Sequence, residues 1–235
     1  MKVRVKFAKE GAMKFIGHLD IMRYFQKAIK RAGIDVAYSE GFSPHMIMSF
    51  AAPLGVGVTS TAEYFDMEIN TPISGKEAVK RLNEVMVEGM EVKSFRKIPD
   101  GKANAAMALV AAADYYVEFR EGMEPETDWK NKIGDFIGQP EILIVKKTKK
   151  NEKEVDIRPY IYDMYLEENS IFLKLAAGSV KNTKPELVME AFLAFLGQEF
   201  DSFRFTIHRA EVYADKETEE CRNLISLEDL GEEIE

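Results

Sequence analysis

The sequence predicts an α+β fold, because the element order β-α-β-β-α-β occurs twice along its 235 residues. Apolar residues at every second position indicate strands, and apolar residues three and four apart indicate helices. Glycines and prolines separate these segments. An antiparallel four-stranded sheet with two helices on one face is the ferredoxin-like arrangement. We therefore expect two tandem ferredoxin-like halves with antiparallel sheets.

The first copy starts with the alternating segment KVRVKFA, which is typical of a half-buried strand. A helix is predicted from about Leu19 to Ala32, where the apolar residues form one stripe, and Gly33 ends it. A second helix follows Ser74, its candidate N-cap. The remaining strands are IDVAY, AEYFDMEIN and MEVKSFRKI, and an apolar excursion at residues 46–58 stays unassigned. Within it, PLGVGV is interpreted as a kinked or bulged strand, because no complete phosphate-binding glycine motif is present.

The second copy repeats this order with one extra strand. Its strands are DYYVEFRE, EILIVKKT, a hairpin around Glu168 and Asn169, and the closing FRFTIHRAEVYA. Its helices are ETDWKNKIGDFIG and TKPELVMEAFLAFLG, the latter with Thr183 as candidate N-cap and Gly197 as its stop. The predicted domains are therefore 1–100, 101–215 and an acidic tail, 216–235.

The charge is unevenly distributed within a net of −8. Residues 1–100 contain 15 Lys and Arg against 12 Asp and Glu, whereas the last twenty contain 8 acids and 2 bases. We expect this tail to be solvated and disordered, with an interaction tail as the alternative. The single cysteine excludes an internal disulfide and an iron–sulfur cluster held by this chain's own thiolates. No apolar run is long enough to span a membrane. The single cysteine fits a reducing compartment, so a cytoplasmic protein is expected.

Two of the three histidines lie near predicted element boundaries. His18 begins the first helix, with Asp20 and Arg23 after it, and His45 follows Ser43 in the loop EGFSPH. One interpretation is a capping or structural cluster; the other is one polar site in which the two histidines approach each other. The spacing lacks a compact metal signature, so no metal is predicted. His18 and His45 are also candidates for acid–base catalysis, although no paired nucleophile accompanies them.

Weaker signals lie in the second half. The basic run Lys146–Lys153 is interpreted as a solvated loop, with phosphate contact as the alternative. DIRPYI offers Arg158, and GSVKNTKPE precedes a helix N-terminus that can attract an anion.

The segment from FIGHLDIMR through AYSEGFSPH to AEYFDMEI resembles the radical SAM-linked protein family, which carries the bacterial domain of unknown function 2344. The matching positions are His18, Asp20, Arg23, Gly41, Phe42, Pro44 and His45. Ser43 and Met46 stand where many relatives carry Asn and Pro. DIRPYI resembles a weaker feature further along. The family has no established reaction, so the resemblance implies a radical SAM protein as a neighbour and leaves open whether this chain is an enzyme.

The expected architecture is also similar to that of CRISPR-repeat endoribonucleases, which bind RNA. We therefore expect an accessory protein of a radical SAM enzyme that binds or presents an RNA substrate and needs no cofactor. Two alternatives stay open, namely an adaptor that docks the partner without touching substrate and a metal-independent endoribonuclease. The candidate substrate-binding residues are His18, Asp20, Arg23, Lys27, Ser43, His45 and Arg158.

Overall fold

The computed structural model describes residues 1–147, 152–179, 181–217 and 222–235. These residues form eleven strands and five α-helices, joined by loops and short 3-10 turns. The strands are β1 (Lys2–Lys9), β2 (Met48–Phe50), β3 (Thr59–Glu68), β4 (Met90–Lys97), β5 (Val110–Phe119), β6 (Leu143–Lys147), β7 (Glu152–Asp156), β8 (Ile161–Glu167), β9 (Ser170–Ala176), β10 (Phe205–Asp215) and β11 (Leu224–Ser226). The helices are α1 (His18–Arg31), α2 (Gly75–Asn83), α3 (Ala106–Leu109), α4 (Trp129–Ile137) and α5 (Pro185–Phe195).

The chain divides into two compact units. The first consists of Met1–Ala111 together with Arg209–Glu235, and the second is Ala112–His208. Strand β10 contributes its first residues to the second unit and its remainder to the first. The predicted domain limits 1–100, 101–215 and 216–235 stay a prediction.

In the first unit, β1 lies between two antiparallel neighbours. It pairs with β3 through contacts such as Val5 with Phe65, and with β4 through contacts such as Val5 with Phe95. The short β2 pairs antiparallel with the other edge of β3, where Phe50 is opposite Phe65. The order β4-β1-β3-β2 is therefore antiparallel throughout. Residues 34–38, predicted as a strand, form only bridges, at Val36 and Tyr38.

Helix α1 covers this sheet, but its buried face differs from the predicted stripe of Leu19, Met22, Phe25, Ile29 and Ala32, because Leu19 is 61% exposed. Ile21, Phe25 and Ile29 are buried, and Phe25 packs against the rings of Phe7 and Phe65. Gly33 adopts φ +65°, the left-handed conformation that suits a residue just beyond a helix. The predicted α1 and its stop are confirmed. The predicted cap of α2 is confirmed too, because the Ser74 hydroxyl accepts a hydrogen bond from the backbone N–H of Glu77.

The second unit places β9 between β5 and β8, both antiparallel to it. Strands β6 and β7 form a separate antiparallel pair. Glu168 has φ +53° between β8 and β9, which confirms the predicted hairpin turn. The N-cap of α5 is Lys184 and not Thr183, which is buried and donates its backbone N–H to the Ala176 carbonyl. Thr183 therefore lies one position before the N-cap.

These pairings confirm a mixed α+β fold with antiparallel strands, and the finer expectation of two ferredoxin-like halves stays a prediction. The apolar excursion at 46–58 forms β2 and then a loop, so PLGVGV is not a strand. Half of the basic run Lys146–Lys153, at 148–151, lies outside the described residues.

Two charged networks fix β1 within the first unit. Arg4 is buried and donates to both carboxylate oxygens of Asp66, to the carbonyl of Leu227 and to that of Asn104. Lys6 donates to Glu211 at 2.7 Å and to Glu228 at 2.9 Å. Burial opposes ionisation of Glu228, but hydrogen bonds from Lys6 and Ser94 outweigh it and lower the pKa of this carboxyl.

The lowered pKa of Glu228 predicts a pH-dependent contribution to stability. A carboxyl whose pKa is lower in the folded state stabilises fully above its unfolded pKa, and this stabilisation is lost as the pH falls through the folded value. We therefore expect Glu228→Gln to reduce the free energy of unfolding near neutral pH and to cost progressively less between about pH 5 and pH 3. Urea unfolding of both proteins at several pH values measures this, with exposed Glu121→Gln as the control. A cost that does not change with pH would contradict it.

Candidate functional site

The motif residues at the start of α1 have different environments. Gly17 is the N-cap and makes no side-chain cap, so His18 is the first helical residue and not a capping one. The half-buried imidazole of His18 packs edge-on against Phe50, with ring centroids 5.2 Å apart. Asp20 and Arg23 are exposed and pair with each other at 3.2 Å.

The second motif loop holds His45 through a serine that sequence reasoning did not select. The backbone N–H of His45 donates to Ser39 Oγ at 3.1 Å, and this hydroxyl also lies 2.8 Å from Nδ1 of the imidazole. Both contacts fix the orientation of an exposed ring. Ser43 and Phe42 are exposed as well, and Gly41 adopts φ +105°, which only glycine takes readily.

The described contacts do not bring His18 and His45 together. His18 contacts Phe50, the last residue of β2. His45 lies five residues before Phe50, at the start of the extended chain that contains the Met46 bridge and β2. Five extended residues span about 16 Å. A shared histidine site therefore stays a prediction. Arg158 lies in the second unit, where its guanidinium donates to the Ile161 carbonyl at 3.1 Å.

Three buried charged residues, which the sequence analysis missed, lie close to His18. Lys9, Glu63 and Arg209 are exposed by only 2%, 5% and 4%. The guanidinium of Arg209 donates twice to Glu63 Oε1 and once to the Ala52 carbonyl. The Lys9 ammonium donates to the Ile16 carbonyl at 2.8 Å, just before α1.

A small cavity joins this cluster to His18. Its walls include His18, Lys9, Glu63 and Phe50, and its volume is about 10 Å³. A cavity of that size holds about one water molecule. Burial lowers the pKa of Lys9, and the charge of Arg209 lowers it further against the opposing effect of Glu63. This His18 cavity is small, with both apolar and charged walls, and it suits a bound water and not a nucleotide.

The exposed surface above the cavity offers a larger candidate site. Leu19, Arg23, Lys27 and Arg31 are all exposed and follow one another at four-residue spacing, so they share one face of α1. We call these four residues the α1 stripe. Phe15, just before the helix, is 64% exposed, and Leu19 is 61% exposed. Val56 is also exposed, in a loop that Gly57 ties to the Lys14 carbonyl at 2.8 Å. The surface therefore combines apolar side chains at one end with cations along the helix.

The described part of the chain contains neither a candidate metal site nor a helix that could span a membrane. No group of three or more His, Cys, Asp or Glu side chains there has an arrangement that suits a metal ion. No helix in residues 1–147, 152–179, 181–217 or 222–235 is both long and apolar enough to cross a membrane.

Comparison with known proteins identifies a family without an activity. The family model described as "Uncharacterized protein conserved in bacteria (DUF2344)" matches residues 2–185. No curated protein matches the chain. One similar solved structure is titled "Crystal Structure of a Cbf5-Nop10-Gar1 Complex", with a TM-score of 0.44 and 12% identity over 89% of this chain. The chain spans 48% of that structure's chain, about half its length, and a likeness this weak carries no argument about function.

Proposed function

The chain belongs to the bacterial DUF2344 family, and we propose that it is an accessory protein that binds an RNA substrate for a radical SAM enzyme. The proposed partner rests on the resemblance of the HLDxxR and GFxPH segments to radical SAM-linked proteins. The proposed RNA contact rests on the α1 stripe. The predicted cytoplasmic location accompanies this proposal.

The observation that carries the proposal is the row of three exposed cations, Arg23, Lys27 and Arg31, on one helical face. Four-residue spacing advances about 6 Å along a helix, close to the distance between successive phosphates in an extended strand. The exposed rings of Phe15 and Phe42 supply flat surfaces of the kind on which bases stack. Local cations with exposed aromatics therefore favour RNA despite the net charge of −8.

The ferredoxin-like architecture is part of the same proposal. The order β4-β1-β3-β2 in the first unit and the β5-β9-β8 order in the second each support a split β-α-β arrangement. Helices α1 and α2 connect the strands of the first unit as this arrangement requires.

A second candidate function, a protein–protein adaptor, is favoured by one observation. Phe15, Leu19 and Val56 are exposed by more than 60% each, and exposed apolar side chains are typical of protein docking surfaces. An adaptor would use this apolar end without the cations of the α1 stripe. The ribonuclease alternative requires His18 or His45 to reach substrate, and His18 faces a cavity with room for about one water.

Salt-dependent RNA binding tests the proposal. We expect Arg23→Ala/Lys27→Ala to lower the slope of log affinity against log salt by about 1.4, because each single-strand phosphate contact contributes about 0.7. His45→Ala, at an exposed ring, should weaken binding with little change in that slope, because it removes a local contact and no Lys or Arg charge. The measurement uses random-sequence single-stranded RNA at several salt concentrations.

The matched control removes two exposed lysines of the second unit, Lys130→Ala/Lys181→Ala, and should leave the slope unchanged. An equal reduction of the salt slope in both double variants would show that RNA binding depends only on total charge, and it would contradict a site on α1. No binding by the wild-type protein at low salt would reject RNA and favour the adaptor.

A further inference from the structure

The acidic segment, residues 224–235, is an ordered part of the first unit. It contains five acids and no base, and its charge predicts a solvated tail. Instead, β11 pairs with β10, and Leu227 is fully buried and accepts a hydrogen bond from Arg4. The expectation of a disordered tail is therefore wrong for residues 222–235. The sequence pattern missed this because the bases that neutralise the segment lie more than a hundred residues earlier.

Beyond Leu227 the acidic segment reaches the free edge of β4 at Lys97, the last residue of that strand. Lys97 and Glu232 exchange two backbone hydrogen bonds of 2.8 Å, and the backbone N–H of Gly75 donates to the Ile234 carbonyl at 2.8 Å. The opposite edge of β4 pairs with β1. The segment therefore pairs with the last residue of β4 through one bridge and leaves the rest of that edge free, the kind of edge that an added peptide uses in β-augmentation.

A groove lies beside this edge, between α2 and β4. Its volume is about 730 Å³, within the range of ligand sites, and Ile234 lies in it with the apolar Val79 and Phe95. Its cationic wall consists of Lys76, Lys80, Lys93 and Arg96. The groove thus offers backbone pairing, an apolar seat and positive charge, the three features that recognise an acidic extended peptide with an apolar residue.

The side-chain contacts of the acidic segment in this groove are weak ones. Arg96 lies 3.6 Å from Asp229 and 4.0 Å from Glu233, and Lys97 lies 3.9 Å from Glu232. These carboxylates are 65–82% exposed, and exposed ion pairs of this length contribute little. Close packing instead depends on two glycines, because a Cβ at Gly231 would lie 2.7 Å from Arg96 Cβ and one at Gly75 would lie 2.7 Å from the Phe95 carbonyl oxygen.

We propose that the α2–β4 groove is a docking site for an acidic, extended peptide of a partner protein. Residues 229–235 lie against the groove as an intramolecular ligand, with Glu233, Ile234 and Glu235 in its wall, and the partner's peptide displaces them. The proposal stands independently of RNA binding, because it uses α2, β4 and the acidic segment and none of the α1 stripe.

The test measures binding of a fluorescent peptide with the sequence of residues 226–235, SLEDLGEEIE, to the full chain. Gly231→Val should expel the tethered segment by the clash at Arg96 and leave the groove intact. We expect this variant to bind the peptide at least tenfold more tightly than the wild type, in which the tethered segment competes at a millimolar effective concentration. Glu232→Pro, which removes the N–H that donates to Lys97, should do the same by a different route.

Three controls make the result specific. Adding Lys80→Glu/Lys93→Glu to either variant should abolish binding, and a scrambled peptide of equal charge should bind at least tenfold less tightly. Arg23→Ala/Lys27→Ala should leave peptide binding unchanged, which separates this proposal from the RNA site.

Circular dichroism and thermal unfolding confirm that each variant is folded. The proposal is overturned if neither folded variant binds the peptide, if the wild type binds it equally well, or if the scrambled peptide binds as tightly. Displacement of the peptide by single-stranded RNA at an equal charge concentration would also overturn it, because the groove would then recognise charge alone. If both variants fail to fold, the acidic segment is an obligatory structural element and not a displaceable ligand, and the proposal falls.

Discussion

Replacing Arg4 with methionine is expected to lower the free energy of unfolding by about 3–5 kcal/mol, because it leaves the charge of Asp66 buried without its partner. The same change removes the donors for the carbonyls of Leu227 and Asn104. Urea unfolding measures the loss. Arg4→Met/Asp66→Asn should recover part of it, since the amide carries no charge while its oxygen still accepts from the backbone N–H of Ala106. A loss below about 1 kcal/mol would contradict this expectation, because the pair would then contribute no more than an exposed ion pair.

The second large effect is expected at the cluster beneath His18. Arg209→Met should cost about 3–5 kcal/mol, because Glu63 then stays charged in a buried site. Arg209→Met/Glu63→Gln should cost less than the single change, because no buried carboxylate is left without its partner.

The control for this cluster is the exposed pair of Arg81 and Glu77 on α2. Arg81→Met also removes an Arg–Glu ion pair, but one that joins neighbouring turns of an exposed helix face. It should lower the free energy of unfolding by about 0.5 kcal/mol or less. Similar losses for Arg81→Met and Arg209→Met would contradict the assignment of the Glu63 pair as a buried, stabilising contact.

Local sequence patterns predict the local parts of this fold. The buried apolar face of α1, the cap at Ser74 and the turn at Glu168 each depend on residues within one turn or hairpin. Helical periodicity and turn chemistry act over such short distances, so a single sequence contains enough information.

The buried charges could not be predicted in the same way. In AEYFDMEIN, Glu63 and Asp66 lie three residues apart, so a strand places one on each face, and the sequence gives no sign that either is buried. Both faces are in fact covered, because Arg209 and Arg4 reach these carboxylates from 146 and 62 residues away. Such pairs follow from strand register, which depends on contacts between distant parts of the chain.

The candidate site shows the same division. The family motif indicates His18, Asp20, Arg23 and His45, and the helical spacing then places Arg23 and Lys27 on one exposed face. The partners that orient these residues were not predictable. Phe50 belongs to the unassigned excursion, and Ser39 is a common loop residue whose bond to His45 depends on the exact path of residues 40–44.

The first unit combines the two ends of the chain, residues 1–111 and 209–235, and this decides which unit can be completed first. Residues 112–208 form the second unit from one continuous stretch of chain, so it can acquire its internal contacts without a later segment. The first unit cannot, because residues 209–235 supply Arg209, Glu211 and the carbonyl of Leu227, which neutralise or satisfy Glu63, Lys6 and Arg4. Until those residues are made, its nascent form holds buried charges without partners and an open β4 edge. The first unit therefore acquires its full set of buried ion pairs only when residues 209–235 have joined residues 1–111.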